Sequence, residues 1–187
     1  MGLKLNFGRG KQMIIHDLRL NNPHTNPPTR LKPPDAFNVR RCQQSDRTDH
    51  VLMNTASVAK GAGKLDALHF MAHGTPGSVE VGSPGLSFSN ADQLAPLAGH
   101  VGCIVLFSCE VGAGTRMSYS LNFGNAVSAY AKCPCIACYA TQYYSWSNGN
   151  VIDFGSFEGT VYVYDGAKTT AHNPNKAIDL EKLIFGG

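Results

Sequence analysis

"CIVLFSCEVGAG", residues 103–114, decides how the rest of the chain is read. Cys103 to Phe107 are all apolar, with no polar residue at alternate positions. That is the pattern of a short strand buried on both faces. The run ends at Ser108-Cys109 and then breaks into small residues. Upstream, "LHFMAHG", residues 68–74, ends in the same way at His73-Gly74. Downstream, "CIACYAT", residues 135–141, reads as a third buried strand. "QMIIHDL", residues 12–18, is a fourth strand.

Helical patterns lie between these strands. "DHVLMNTASVAKGAG", residues 49–63, predicts a helix with Asp49 as its cap and Gly61 as its stop. "NADQLAPLAGH", residues 90–100, predicts a helix capped by Asn90. "RMSYSLNFGNAVSAYAK", residues 116–132, predicts a helix despite Gly124, and "NPNKAIDLEKLIF", residues 173–185, a last one with Pro174 near its first turn. "GSVEVGSPGLSFS", residues 77–89, predicts two short β pieces around Ser83-Pro84-Gly85. "GNVIDFGSFEGTVYVYDG", residues 149–166, predicts a hairpin. Apolar strands alternating with helices imply an α/β fold: a mainly parallel central sheet with helices on both faces, three layers in all, and a C-terminal β-hairpin. In such sheets ligands bind outside the carboxyl ends of the strands.

With 187 residues the chain is long enough for one sizeable core. Hydrophobic residues are 43% and charged residues 16%, a globular balance. Residues 1–60 hold ten Lys/Arg against four Asp/Glu, or +6; residues 61–187 hold six against nine, or −3. We read 1–48 as a basic strand and arm, with Pro23, Pro27, Pro28, Pro33 and Pro34 as an extended surface segment, and 49–187 as the main body of one domain. The arm has no Lys/Arg block and no interleaved aromatics, which argues against nucleic acid; it could dock a regulatory protein. No apolar run approaches the about 20 residues that span a bilayer. "MGLKLNFGRGKQ" has no secretory h-region, so the expectation is a cytoplasmic protein, or one delivered without a signal peptide. The six cysteines are then expected as free thiols. "CPCIAC" supplies three of the about four ligands a zinc site needs, so buried structural thiols at Cys133, Cys135 and Cys138 are the preferred reading.

The two strand tips carry the chemistry. If their strands are parallel neighbours, His73 and Cys109 share one edge of the sheet. A thiol beside an imidazole is a nucleophile beside a proton carrier. Gly74 permits close approach of a substrate, and its N–H with that of Cys109 could hold a developing oxyanion. The turn after Cys109 leads into a predicted helix whose N-terminus would favour a thiolate. His69 shares a strand face with His73; a satisfied strand histidine is preferred there over a metal ligand. His16 is read as a strand-end polar residue.

A hydrophobic strand ending in His-Gly, then one ending in Ser-Cys, resembles the signature of the caspase-like cysteine peptidases. This superfamily includes caspases, metacaspases, legumains, gingipains, separases, the CHAT proteases and self-processing toxin domains. The resemblance covers about residues 64–147, under half the chain. It implies a caspase-like sandwich and a Cys-His endopeptidase with Cys109 as nucleophile and His73 as proton carrier. It implies no cofactor or metal, and a protein or peptide substrate. "YYSWSN", residues 143–148, is similar to a caspase segment lining the substrate groove, which implies contacts from Ser145, Trp146 and Ser147. Trp146 is equally read as a packed aromatic. Ser147 stands where caspases carry an aspartate-reading arginine, so caspase specificity is not implied. Phe107-Ser108 before Cys109, and Gly112 three residues after it, look closer to the bacterial branches. Asp17 and Asp153 are the nearest acids to a basic-specific pocket, and surface or hairpin roles suit them better. Three rivals stay open: an inactive interaction module on the same fold, a thiol acyltransferase or deamidase, and a zinc–thiolate module.

Overall fold

Five parallel strands organise the molecule. The computed structural model describes residues 4–6, 9–21, 38–112, 123–141, 145–147, 151–153, 159–172 and 180–185. In chain order the strands are β1 (Lys4–Asn6), β2 (Gln12–Asp17), β3 (Asn38–Cys42), β4 (Ala67–Met71), β5 (Gly74–Thr75), β6 (Ser78–Val79), β7 (Leu86–Ser87), β8 (Ile104–Phe107), β9 (Cys135–Cys138), β10 (Ser145–Ser147), β11 (Val151–Asp153), β12 (Val161–Asp165) and β13 (Lys168–His172). The helices are α1 (Thr48–Gly61), α2 (Phe123–Ala131) and α3 (Leu180–Phe185), with a 3₁₀ helix over Phe88–Leu97. The central sheet runs β13-β12-β9-β8-β4-β2-β3. From β3 to β9 all neighbours are parallel; β12 and β13 are antiparallel additions.

The central strands β2, β4, β8 and β9 are buried on both faces, which is why they read as unbroken or nearly unbroken apolar runs. Met13, Ile15, Leu68, Phe70, Ile104 and Leu106 face α1, the 3₁₀ helix and α2. Their alternates Ile14, Met71, Val105, Phe107 and Ile136 pack with Ile184 of α3 on the other side. Among the described residues no helix is long and apolar enough to cross a membrane.

Several local expectations change. The α1 cap is Arg47, not Asp49. Asp49 sits in the first turn, where its carboxylate accepts the His50 N–H and the Arg47 guanidinium. The helix expected over 90–100 is a 3₁₀ helix over Phe88–Leu97, with Ser87 as its cap, and is kinked at Asn90, where two helical pieces meet. The Asn90 side chain accepts the Ser87 N–H at 2.8 Å and donates to the Gly85 carbonyl at 2.8 Å. Those local bonds outcompete a helical backbone at Asn90, whose φ is −135°.

The expected hairpin over 149–166 splits between two sheets. β11 pairs with β1 and β10, whereas β12 pairs with β9 and β13. β12 covers the ladder edge that β9 would otherwise leave open, and buries Val161 and Tyr164. The C-terminal hairpin is therefore Val161–His172, turning at Gly166. β3 was not expected; "NVRRC" lacks an apolar run because it is an edge strand. The stretch Pro23–Pro34 lies outside the described residues. Gly124 is tolerated in α2 because the wholly buried Tyr164 ring occupies the place a Cβ would take.

One core face carries polar groups with a consequence for stability. His69 is wholly buried, stacked on Phe107 at 5.4 Å, with Nε2 2.8 Å from Gln12 Oε1. Gln12 Nε2 donates to the Arg9 carbonyl, which fixes the amide so that His69 is the donor. This is the buried strand histidine that the sequence suggested, partnered through Nε2. Burial lowers the His69 pKa to about 3. The unfolded chain takes up this proton near 6.5, the folded one only near 3. Stability from this residue is thus complete above pH 6.5 and falls as the pH drops from 6.5 toward 3. The expected slope is up to about 1.4 kcal/mol per pH unit. Urea unfolding at pH 7.5 and 5.0 checks this: Gln12→Leu/His69→Leu flattens the difference, and an unchanged slope would contradict it.

Candidate active site

Two strand ends meet at the carboxyl edge of the sheet. β4 and β8 are parallel neighbours, with Met71 opposite Phe107. Two residues further on, His73 comes level with Cys109. Gly74 shows how close the tips are: a Cβ there would lie 2.7 Å from the Cys109 carbonyl oxygen, 2.8 Å from Ser108 Cβ and 2.9 Å from Val111 Cγ2. Only glycine lets the tips approach in this way. β4 and β8 are thus the parallel neighbours expected from the sequence, with His73-Gly74 and Cys109 following their ends at one edge of the sheet.

The strand order puts a switch point beside this edge, next to the end of β4. The chain visits β2, then β3 on one side, then β4, β8 and β9 on the other. The order reverses between β2 and β4, the kind of switch point where open α/β sheets bind ligands. His73 is exposed there and Cys109 is partly exposed. The Glu80 N–H donates to the His73 carbonyl at 2.9 Å, and Gly74 faces Val79 across β5 and β6. By antiparallel alternation Gly74 is then a non-hydrogen-bonded position whose N–H points away from β6. The backbone turns sharply after the thiol, with Glu110 at φ 57°.

His73 has a defined partner. Its Nε2 lies 3.3 Å from the carbonyl oxygen of Arg19, in the turn after β2. A carbonyl only accepts, so Nε2 carries the proton and Nδ1 remains for proton exchange. Sequence reasoning missed Arg19; the signal was the Asp-x-Arg spacing of "DLR" at a strand end. It also gave Asp17 a surface role. Asp17 is instead wholly buried and held by Arg19 through Nε at 2.8 Å and Nη2 at 2.8 Å. Burial alone would raise its pKa; the bonds from Arg19 and from the Gly82 N–H outweigh that and lower it. An acid so occupied cannot read a basic substrate residue. His16, read as a strand-end polar residue, is the second-last residue of β2 and is buried there, with Nε2 3.3 Å from the Leu20 carbonyl.

The other candidate residues belong to other elements. Ser145 is exposed in β10, which pairs with β11 in the small sheet. Trp146 and Ser147 are placed by backbone in β10; their side chains, and that of Asp153 in β11, lie outside the described residues. So does the stretch 113–122, where a helix start was expected after Cys109. Cys133, Cys135 and Cys138 are buried. Burial pushes the Cys133 thiol up to about 11, and raises Cys135 and Cys138 as well. Among the described residues no group of three His, Cys, Asp or Glu is arranged to hold a metal. A groove of about 300 Å³ between α1 and the 3₁₀ helix, lined by Met53, Lys60, Pro96 and His100, contains no thiol.

Cys109 is the one cysteine of six that is not buried. Iodoacetamide on the folded protein is therefore expected to modify Cys109 well before the other five, which should react only after unfolding. Peptide mapping of the first adduct checks this; early modification of Cys42 or Cys138 would contradict it. No family model matches this chain, and no curated protein matches it.

Proposed function

We propose that the chain is a cysteine endopeptidase of the caspase-like type, working through Cys109 and His73. The observation that supports this reading is the packing of Gly74 on the Cys109 carbonyl, which brings the backbones of the two strand tips together at one edge of the sheet. The doubly wound order of the parallel strands supports the caspase-like form of the fold.

The Cys109 thiolate attacks the scissile carbonyl carbon, forming a C–S bond and sending the carbonyl π electrons to oxygen. The N–H groups of Gly74 and Cys109 hold that oxyanion. Its collapse breaks the C–N bond, and protonated His73 gives its proton to the leaving amine. Water then attacks the thioester, with His73 as base, releasing the carboxylic acid and restoring the thiol. No step needs a metal or cofactor. The substrate is a protein or peptide with an extended stretch at this edge of the sheet.

The same acyl-enzyme could pass to an amine instead of water. Both outcomes are read by incubating a mixed peptide library with the wild type and Cys109→Ser, then sequencing products by mass spectrometry in H₂¹⁸O. Cleaved peptides carrying ¹⁸O at new carboxyl termini, absent with Cys109→Ser, are the expected result. Deamidated or amine-joined products without cleavage would move the assignment to acyl transfer. Cleavage that persists with Cys109→Ser would end it.

A further inference from the structure

We propose that Asp17 and Arg19 are positioning residues for His73: their ion pair fixes the turn whose carbonyl sets the tautomer and orientation of the imidazole. The inference rests on the peptidase reading above. It starts from an arrangement in which nearly every polar group of one short turn is committed.

The carbonyl that meets His73 belongs to Arg19 itself. The backbone N–H of Arg19 donates to Asp17 Oδ1 at 3.0 Å, and its guanidinium grips both Asp17 oxygens, Nε to Oδ1 and Nη2 to Oδ2, each at 2.8 Å. The Leu20 N–H donates to the Asp17 carbonyl at 3.0 Å, and the Leu18 N–H to the Cys42 carbonyl at 2.9 Å. The Leu20 carbonyl accepts from His16 Nε2, the nitrogen 3.3 Å away in the strand that leads into the turn. Consecutive carbonyls of this turn thus face two histidines, His73 from Arg19 and His16 from Leu20.

Asp17 is saturated in turn. Besides Arg19 it accepts the Gly82 N–H at 3.0 Å and the Cys42 thiol at 3.5 Å. A bidentate carboxylate–guanidinium pair fixes direction as well as charge. The guanidinium also reaches the segment that His73 begins. Its Nη2 donates to the Gly82 carbonyl at 3.0 Å and its Nη1 lies 3.4 Å from Glu80 Oε2, while the Glu80 N–H holds the His73 carbonyl. Arg19 therefore meets the histidine's ring through its carbonyl and, through its side chain, Glu80 and Gly82, of which Glu80 holds the His73 carbonyl by its N–H. A purely structural clamp would need only the second contact. The first places an acceptor at the one ring nitrogen that must keep its proton if Nδ1 is to exchange protons with substrate.

The test is the tautomer of His73, read by ¹⁵N NMR of histidine-labelled protein above pH 8, together with kcat and KM on a peptide substrate. Wild type is expected to show the Nε2–H form. Arg19→Gln and Asp17→Asn should show both tautomers, with kcat down about 10- to 100-fold and KM within about twofold. Arg47→Gln, which removes only the exposed Arg47–Asp49 ion pair, should keep the wild-type tautomer and kcat. Because Asp17→Asn leaves a charge without its partner, Asp17→Asn/Arg19→Gln carries the same prediction without that burden. A folded Arg19→Gln with the wild-type tautomer and kcat would overturn the proposal. So would a loss confined to urea stability. The tautomer is read on inactive protein too. Failure of the peptidase reading appears as a wild type that cleaves nothing, and failure of the positioning role as a variant whose imidazole is unchanged.

Discussion

Cys109→Ala is expected to lose peptide hydrolysis by at least about 10³-fold, and His73→Ala by a comparable factor. The two residues act as one unit in the proposed reaction. The double variant should therefore be little worse than Cys109→Ala alone, since what remains comes from binding and from backbone donors. Folding should be spared in both: His73 is exposed and Cys109 partly so, and neither fills the core. Urea midpoints close to wild type with activity gone is the expected pair of results. Retained hydrolysis in either single variant would remove that residue from the mechanism.

Gly74→Ala should damage both stability and activity. The added Cβ would meet backbone at 2.7 Å, and a backbone carbonyl cannot rotate away as a long side chain can. Relief comes only by parting the ends of β4 and β8. Forcing a methyl group into such packing costs about 1–3 kcal/mol. A displacement of about 1 Å between the reacting groups costs a further 10²-fold in rate. The activity loss should therefore persist under conditions where the variant is fully folded. Gly77 is the control, because a Cβ there meets nothing within 4 Å; its φ of +79° makes Gly77→Asn a better comparison than alanine. A fully active Gly74→Ala would mean that the tips are not held as close as their packing indicates.

The core of the fold was legible because it is made of dry strands. "LHFMA", "CIVLF" and "CIAC" declare themselves by apolar runs, and each is a parallel strand of the central sheet. Edge elements hide for the same reason in reverse: "NVRRC" pays no penalty for its arginines at the sheet margin. The hairpin over 149–166 misled because local pattern marks a strand without naming its partner, and β11 and β12 pair in different sheets. At the site, His73, Gly74 and Cys109 were visible as strand tips in one order. The Asp17–Arg19 pair was not, since a buried carboxylate and an exposed one look identical in sequence. Only the neighbours at Gly82 and Cys42, far along the chain, separate them.

The central claim is that Cys109 is a nucleophile served by His73, and intact-mass labelling tests it most directly. Wild type, Cys109→Ala and His73→Ala are each treated with a library of peptidyl acyloxymethyl ketones. The account predicts one adduct per chain, on Cys109, lost in Cys109→Ala, strongly slowed in His73→Ala and dependent on the peptide. Adducts shared between Cys109 and the Cys133, Cys135 and Cys138 group, indifferent to peptide and to His73, would contradict it and leave Cys109 an ordinary exposed thiol.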